Sequence, residues 1–248
     1  METISITFGE CAENNIGMQL IGKKAIESLS VYDFQNVISK FGNACEIHDL
    51  SFDGKVAHFC IIRNGVNLFG EDKDKIFEEL LKLPYDKQML FRGKVVNKIA
   101  RWNSCFSDFS QDPHIIEGKG TVIDFRNSPL SGLRDKISLF GSKANKLNAE
   151  LNYYYDVNKC GIGWHIDNER KVVICARFGA SMLMSFSWFG KLNPTEKTKA
   201  IGPKFDFVLN HGDIYAMTDS GHYIGKNKVH LRHAAGCKKY TDIQKKHK

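Results

Sequence analysis

The sequence places a histidine and an aspartate two residues apart, at His165 and Asp167. On a β-strand, residues i and i+2 project from the same face, so this imidazole and this carboxylate would lie side by side. A second histidine from another strand would complete a 2-His-1-carboxylate facial triad on one metal ion. That ligand set leaves positions open and suits an Fe(II) that must also bind a co-substrate and O2.

The second histidine of such a triad must come from elsewhere in the chain. His230 and His233 are three residues apart, so on one strand they would point to opposite faces and could not both be ligands. His222 lies in a glycine-flanked loop, and His211 precedes a Gly-Asp pair that reads as a turn. The residues alone leave the choice open among four candidates: His211, His222, His230 and His233.

Further motifs surround the His-x-Asp pair. Asn152 and Tyr154 form an Asn-x-Tyr motif, and Asn152 lies 13 residues before His165. With these motifs, the sequence from about Phe91 to Thr241 resembles the AlkB-like family of Fe(II)/2-oxoglutarate-dependent dioxygenases, most closely the AlkB-like proteins of large DNA viruses. The other segments that carry the resemblance are Arg92-Gly93-Lys94, Phe178-Gly179-Ala180, Gly212-Asp213 and Arg232-His233-Ala234-Ala235-Gly236.

The resemblance implies a site with defined roles. By position it makes His165, Asp167 and His233 the iron ligands, and Asn152 and Tyr154 contacts of 2-oxoglutarate. The cofactors implied are therefore Fe(II), 2-oxoglutarate as co-substrate, and O2.

The distal carboxylate of 2-oxoglutarate requires a cation. The family supplies it from an Arg-x-Asn strand after the last histidine. The nearest equivalent here is Lys239-Tyr240-Thr241, expected after a short hairpin, so we expect Lys239 and Thr241 in the co-substrate site. Arg177, in an apolar strand, is an alternative if it points inward; it could equally pair with an acid or face outward.

The activity that the resemblance implies is oxidative dealkylation of N-alkylated nucleic acid bases, as in DNA repair, with release of aldehyde, succinate and CO2. Cations mixed with aromatic residues suit phosphates and stacked bases. Alternatives are a hydroxylase or demethylase of a protein substrate, and a catalytically weak binding protein on the same fold. The residues expected to bind substrate are Arg92, Lys94, Arg101, Trp102 and Trp164.

The elements that must position these residues are mostly short strands. Ile4 to Phe8 alternates as a strand, and helices are predicted at Ser30–Phe41, Asp72–Leu83 and Leu130–Leu139. After residue 85, short strands separated by turns favour a sandwich, jelly roll or barrel. We therefore expect an α+β protein with a double-stranded β-helix (jelly-roll) core in residues 86–248. Residues 1–85 are expected to form an N-terminal α/β extension packed on that core.

Composition limits the other possibilities. The 248 residues are 42% hydrophobic and 25% charged, which is typical of a globular chain. No apolar run is long enough to span a membrane, and the first residues do not resemble a secretory signal. Seven scattered cysteines without a CxxC pair indicate free thiols in a reducing compartment, either cytoplasm or nucleus, or a viral protein in a host cell. We expect no membrane partner and find no evident protein partner.

The net charge of +7 is concentrated at residues 221–248, where eight lysines and arginines face one acid, Asp242. Such a segment attracts polyanions, consistent with nucleic acid as the partner, or serves only as a solubilising tail.

Overall fold

The computed structural model describes residues 1–191, 193, 195–218 and 229–243. Strands dominate and helices are few and short, so the protein is of mixed α+β class. The strands are β1 Thr3–Gly9, β2 Cys11–Glu13, β3 Leu20–Gly22, β4 Cys45–Asp49, β5 His58–Ile62, β6 Gln88–Phe91, β7 Lys94–Asn97, β8 Trp102–Ser107, β9 Val122–Asp124, β10 Asn148–Tyr154, β11 Gly161–His165, β12 Val173–Gly179, β13 Met182–Gly190, β14 Lys199–Leu209, β15 Ile214–Met217 and β16 His230–Gly236. The helices are α1 Gln35–Phe41, α2 Gly65–Leu68, α3 Lys73–Leu80, α4 Ser131–Lys136 and α5 Lys238–Thr241.

A large sheet of eight strands forms the centre of the molecule, in the order β4-β5-β15-β12-β1-β10-β8-β9. Its neighbours are antiparallel except for β8 and β9, which are parallel. Strand β1, the first of the chain, lies in the middle of this sheet between β10 and β12. Its polar residues Thr3, Ser5 and Thr7 alternate with apolar ones, so the two faces of β1 differ in character.

A second sheet of four strands, β11-β16-β13-β14, lies against one face of the large sheet. The contact between the sheets is apolar: Phe59 and Tyr215 of the large sheet join Phe186 and Trp188 of the small one in a single buried cluster. Alternate residues on each strand therefore point into the space between the sheets, which is where the candidate site lies.

Helices α1 to α4 cover the opposite face of the large sheet, whereas α5 packs on the small sheet. Ile4, Ile6 and Phe8 of β1 are fully buried there, against a cluster that includes Phe34 and Phe140. One face of β1 packs on this apolar layer, while Ser5 and Thr7 on the other face line the space between the sheets, which accounts for the regular alternation in its sequence.

The predicted elements are largely confirmed. Helix α3 begins after Asp72, whose carboxylate accepts hydrogen bonds from the amides of Asp74 and Lys75. The predicted helix at residues 30–41 begins as a 3-10 turn at Val31–Phe34 and continues as α1, with Ser30 bonded to the carboxylate of Asp33. Both starts follow the ordinary chemistry of helix capping.

Residues 1–85, expected as an α/β extension packed on the core, share the large sheet with the strands of that core. Strands β1, β4 and β5 belong to the same hydrogen-bonded sheet as the strands that follow residue 85. Residue 85 therefore marks no break in the sheet. Within the described residues, no helix is both long and apolar enough to cross a membrane.

The central position of β1 predicts a large effect of its buried residues on stability. Ile6→Ala should lower the free energy of unfolding by about 2–5 kcal/mol, because it removes a fully buried side chain between sheet and helices. Urea denaturation measures this, with Ile26→Ala, at a site 94% exposed, as the matched control. Equal midpoints for the two variants would contradict the placement of β1.

Candidate functional site

Strands β11 and β16 bring two histidines and an aspartate together. His165 at the end of β11 is the cross-strand partner of His233 on β16, and their ring centroids are 4.2 Å apart. Asp167 follows β11 directly. Its Oδ1 lies 3.6 Å from Nε2 of His165, and its Oδ2 lies 3.7 Å from Nε2 of His233. One ligand atom from each residue lies within 4.8 Å of the others, so the three can share one metal ion.

The hydrogen bonds of this trio set its protonation. Nδ1 of His165 lies 2.7 Å from the carbonyl oxygen of Gly163, which can only accept, so Nδ1 carries the proton and Nε2 offers its lone pair. Burial, followed by the charge of His165, lowers the pKa of His233 to about 3. Burial alone would raise the pKa of Asp167, but the charges of His233, Arg170 and His165 hold it below its usual value.

His233 is therefore a neutral imidazole and Asp167 an ionised carboxylate, which is the form in which these groups bind metals. Two nitrogen lone pairs and a carboxylate facing one another repel unless a cation lies between them. The donor set fits Fe(II) in a facial triad.

The other candidate histidines have different partners. His211 accepts a hydrogen bond from the amide of Gly179 and contacts the carboxylate of Asp74, so it holds the end of β12. His230 is buried and its Nε2 lies 2.7 Å from Nε of Arg232. His222 and much of the basic segment at 221–248 lie outside the described residues.

A cavity of about 820 Å³ opens beside the trio, between the two sheets. Its floor is formed by alternate residues of four adjacent strands of the large sheet, β10, β1, β12 and β15. Asn152 and Tyr154 reach it from β10, as the resemblance implies, and Arg177 reaches it from β12. The cavity is in the size range of sites for small molecules and cofactors.

Arg177 is the most unusual residue of this floor. It is 1% exposed, the largest fully buried side chain, and its Nε and Nη1 atoms have no hydrogen-bond partner among the described residues. The inward orientation that the sequence left open is therefore the one observed, and no carboxylate of the described residues forms an ion pair with it. A buried guanidinium with unmet donors is costly, so this position favours an anionic ligand.

Asn152 is held in place by its neighbours. Its Oδ1 accepts from Asn103, at 2.6 Å, and from Nε of Arg101, while its Nδ2 donates to Glu150 at 2.9 Å. Tyr154 is buried beside it, and burial raises the pKa of its phenol. Arg101 also lines the cavity, at its more exposed side.

The loop that carries Asp167 is fastened at its far end by Arg170. This buried guanidinium pairs with Glu150 on β10 and with Glu169, whose Oε1 lies 2.8 Å from Nε. Next to it, the carboxylate of Glu10 accepts hydrogen bonds from the amides of Lys171 and Val172. These contacts connect the loop that carries Asp167 to β10, the strand that carries Asn152.

The expected co-substrate pair Lys239 and Thr241 is not brought to the cavity. The predicted hairpin after His233 is wrong, because these residues form the short helix α5. Lys239 is exposed and lies over the ring of Tyr240, and Thr241 Oγ1 donates to the carbonyl oxygen of Cys237. The residues that follow Cys237, from Lys238 to Thr241, are compatible with a helical turn as well as with a strand, so the sequence alone does not distinguish the two.

The expected substrate residues lie in three different places. Trp164 and Arg101 line the cavity. Arg92 and Lys94 lie in the exposed turn of the β6–β7 hairpin, outside the cavity lining. Trp102 stacks on Tyr155 with ring centroids 4.8 Å apart, and it projects from the sheet face opposite to its neighbour Asn103.

Several residues of the site were missed by the sequence interpretation. Ser5 and Tyr215 contribute hydroxyls to the cavity floor, and Glu150 and Arg170 form its buried ion pair. The alternation in β1 was a signal for Ser5, because polar residues along one face of a buried strand indicate that this face lines a polar site. Nothing in the sequence indicates that β1 joins β12.

The Arg170 contacts predict a strong effect on folding. Arg170→Met should destabilise the protein by about 3–5 kcal/mol, because it leaves two acids without their buried partner. Lys119→Met, at an exposed ion pair with Glu117, should leave the unfolding midpoint nearly unchanged. Thermal and urea unfolding of both variants provide the comparison, and a stable Arg170→Met protein would contradict this role.

Comparison with known proteins adds one relative. The chain is 38% identical to an uncharacterized protein of Acanthamoeba polyphaga mimivirus, in an alignment that covers 97% of this chain and 98% of that protein. This degree of identity over nearly the full length shows common descent, so the chain belongs to the family of that mimivirus protein. No protein-family model matches the sequence.

Proposed function

We propose that this protein is an Fe(II)- and 2-oxoglutarate-dependent dioxygenase. One observation carries the proposal: the ligand atoms of His165, Asp167 and His233 converge beside a cavity that also holds the buried Arg177, whose Nε and Nη1 have no partner in the part of the chain that the structure describes. The first feature calls for a cation and the second for an anion. A metal chelated by an organic acid supplies both at once, and 2-oxoglutarate is such an acid.

A jelly-roll core is part of this proposal. From β10 to β16 the chain passes repeatedly between the sheets, with β10, β12 and β15 in the large sheet and β11, β13, β14 and β16 in the small one. Successive antiparallel strands shared between two facing sheets are typical of a jelly roll.

Bound Fe(II) would supply the redox chemistry by which O2 oxidises both 2-oxoglutarate, to succinate and CO2, and a carbon of the substrate. The residues of the chain bind and orient. His165, Asp167 and His233 hold the metal, while Asn152 and Tyr154 lie on the floor where the co-substrate would rest. Arg177 provides the charge for the distal carboxylate, in place of a cation after the last histidine.

For the substrate we propose an N-alkylated base of a nucleic acid, dealkylated with release of an aldehyde. The cavity volume of about 820 Å³ leaves room for a flat ring beside the small co-substrate. Trp164 lines the cavity and offers an aromatic face, and Arg101 offers a cation on its exposed side. The exposed cations Arg92 and Lys94 suit a more distant phosphate backbone.

The metal site is tested by substitution of its ligands. His165→Ala and Asp167→Ala should abolish Mn(II) binding, followed by electron paramagnetic resonance, and succinate formation with Fe(II) and 2-oxoglutarate. His114→Ala, at an exposed histidine, should retain both. Wild-type protein that binds no divalent metal would refute the dioxygenase and leave a binding protein on this fold.

The nucleic acid proposal predicts a salt-dependent interaction. A single-stranded oligonucleotide with one N-methylated base should bind with an affinity that falls as salt rises. The double variant Arg92→Ala/Lys94→Ala should reduce the slope of log K against log salt by about 2 if both cations contact phosphates. Fluorescence anisotropy measures it. Binding that is absent or independent of salt would exclude nucleic acid as the substrate and favour a protein substrate instead.

A further inference from the structure

Resting on the function proposed above, we infer that Ser5 and Tyr215 complete the carboxylate site around Arg177. The N-terminal strand would then be a working part of the co-substrate site. The observation behind this inference is a pair of hydroxyls from two strands that flank the strand of Arg177.

The strand order brings the three residues together. Strand β12, which carries Arg177, lies between β1 and β15 in the large sheet. Ser5 is the direct cross-strand partner of Arg177, and Tyr215 is the partner of Cys175, two residues before it. All three side chains line the same cavity.

The two hydroxyls contact each other across the intervening strand. Ser5 Oγ lies 3.2 Å from the phenol oxygen of Tyr215. In such a pair one hydroxyl donates to the other, and the second hydroxyl keeps a proton to donate elsewhere. Both side chains are almost fully buried, so water from outside is a poor partner for that remaining donor.

The protonation of Tyr215 agrees with a donor role. Burial raises its pKa, while the nearby charge of Arg177 acts in the opposite direction without reversing the effect. The phenol therefore stays neutral at physiological pH and keeps its proton. Its partners in the protein are the hydroxyl of Ser5 and the thiol of Cys175, which is a weak acceptor, so it can turn to a stronger acceptor beside the unmet Nε and Nη1 of Arg177.

A carboxylate is the ligand that such a group selects. It carries the negative charge that a buried guanidinium requires and has lone pairs for several donors at once. Without it, Nε and Nη1 of Arg177 have no acceptor among the described residues, which is costly in a buried site. A neutral or cationic group would leave the charge of Arg177 uncompensated.

The test compares ligand binding with and without each hydroxyl. Tyr215→Phe and Ser5→Ala should each weaken binding of 2-oxoglutarate to the Mn(II)-loaded protein about ten-fold, measured anaerobically by calorimetry, because each removes a hydrogen bond from a charged ligand. Binding of Mn(II) itself should be unchanged. Thr3→Val is the matched control: it removes a hydroxyl from the same strand, but Thr3 bonds only to the carbonyl oxygen of Phe178.

A second readout separates a ligand contact from a merely structural role. 2-Oxoglutarate should slow amide hydrogen exchange at residues 3–9 of the wild-type protein, and much less in Tyr215→Phe. Glutarate, which has both carboxylates but no keto group, should show the same ranking of variants in the absence of metal. A weakening that appears with 2-oxoglutarate but not with glutarate would overturn the inference.

The outcomes distinguish this inference from the proposed function. If Arg177→Met loses 2-oxoglutarate binding while Tyr215→Phe and Ser5→Ala bind as tightly as wild type, the hydroxyl pair has no role and the inference is wrong. If the wild-type protein binds glutarate through these residues but no divalent metal, the carboxylate site stands and the dioxygenase fails. If it binds Mn(II) but no dicarboxylate, the inference fails and the metal site remains.

Discussion

Two unbalanced charges, placed in one cavity, are the constraint on which the rest of the site depends. Around His165, Asp167 and His233 three potential metal-binding groups face one another, and at Arg177 two buried guanidinium nitrogens have no acceptor among the described residues. Neither group is favourable in a protein interior by itself. The fold must therefore be stable enough elsewhere to hold both, and a metal chelated by a dicarboxylate would relieve them together.

The two sheets divide this task. The small sheet presents the two histidines from β11 and β16, whose hydrogen bonds fix the register of His165 opposite His233. The large sheet supplies the floor, and its helix-covered face contributes most of the apolar core. The ion pair of Arg170 with Glu150 joins the Asp167 loop to the floor, so the two halves keep a fixed relation. Rigid elements on both sides are what a preorganised site requires.

Local structure could be predicted well from the sequence, because its causes are local. Alternation in β1 and the Asp72 cap of α3 depend only on neighbouring residues. The trio around His165 was also accessible, since His-x-Asp spacing and a family resemblance point to it. Arg177 could not be assigned, because its orientation depends on which strands flank β12, and that pairing joins residues some 170 positions apart. Lys239 was misplaced for the same reason: helix or hairpin after β16 is decided by tertiary packing.

The central place of β1 has a consequence for how the chain assembles. Strand β1 hydrogen-bonds to β10 and β12, whose paired residues lie about 140 to 175 positions later in the chain. During synthesis this strand leaves the ribosome with both of its edges free and must wait until most of the chain has emerged. Contacts of such long range slow folding, and the exposed apolar edge invites pairing with another chain. This fold therefore requires that β1 be kept from pairing with other chains until β10 and β12 are available.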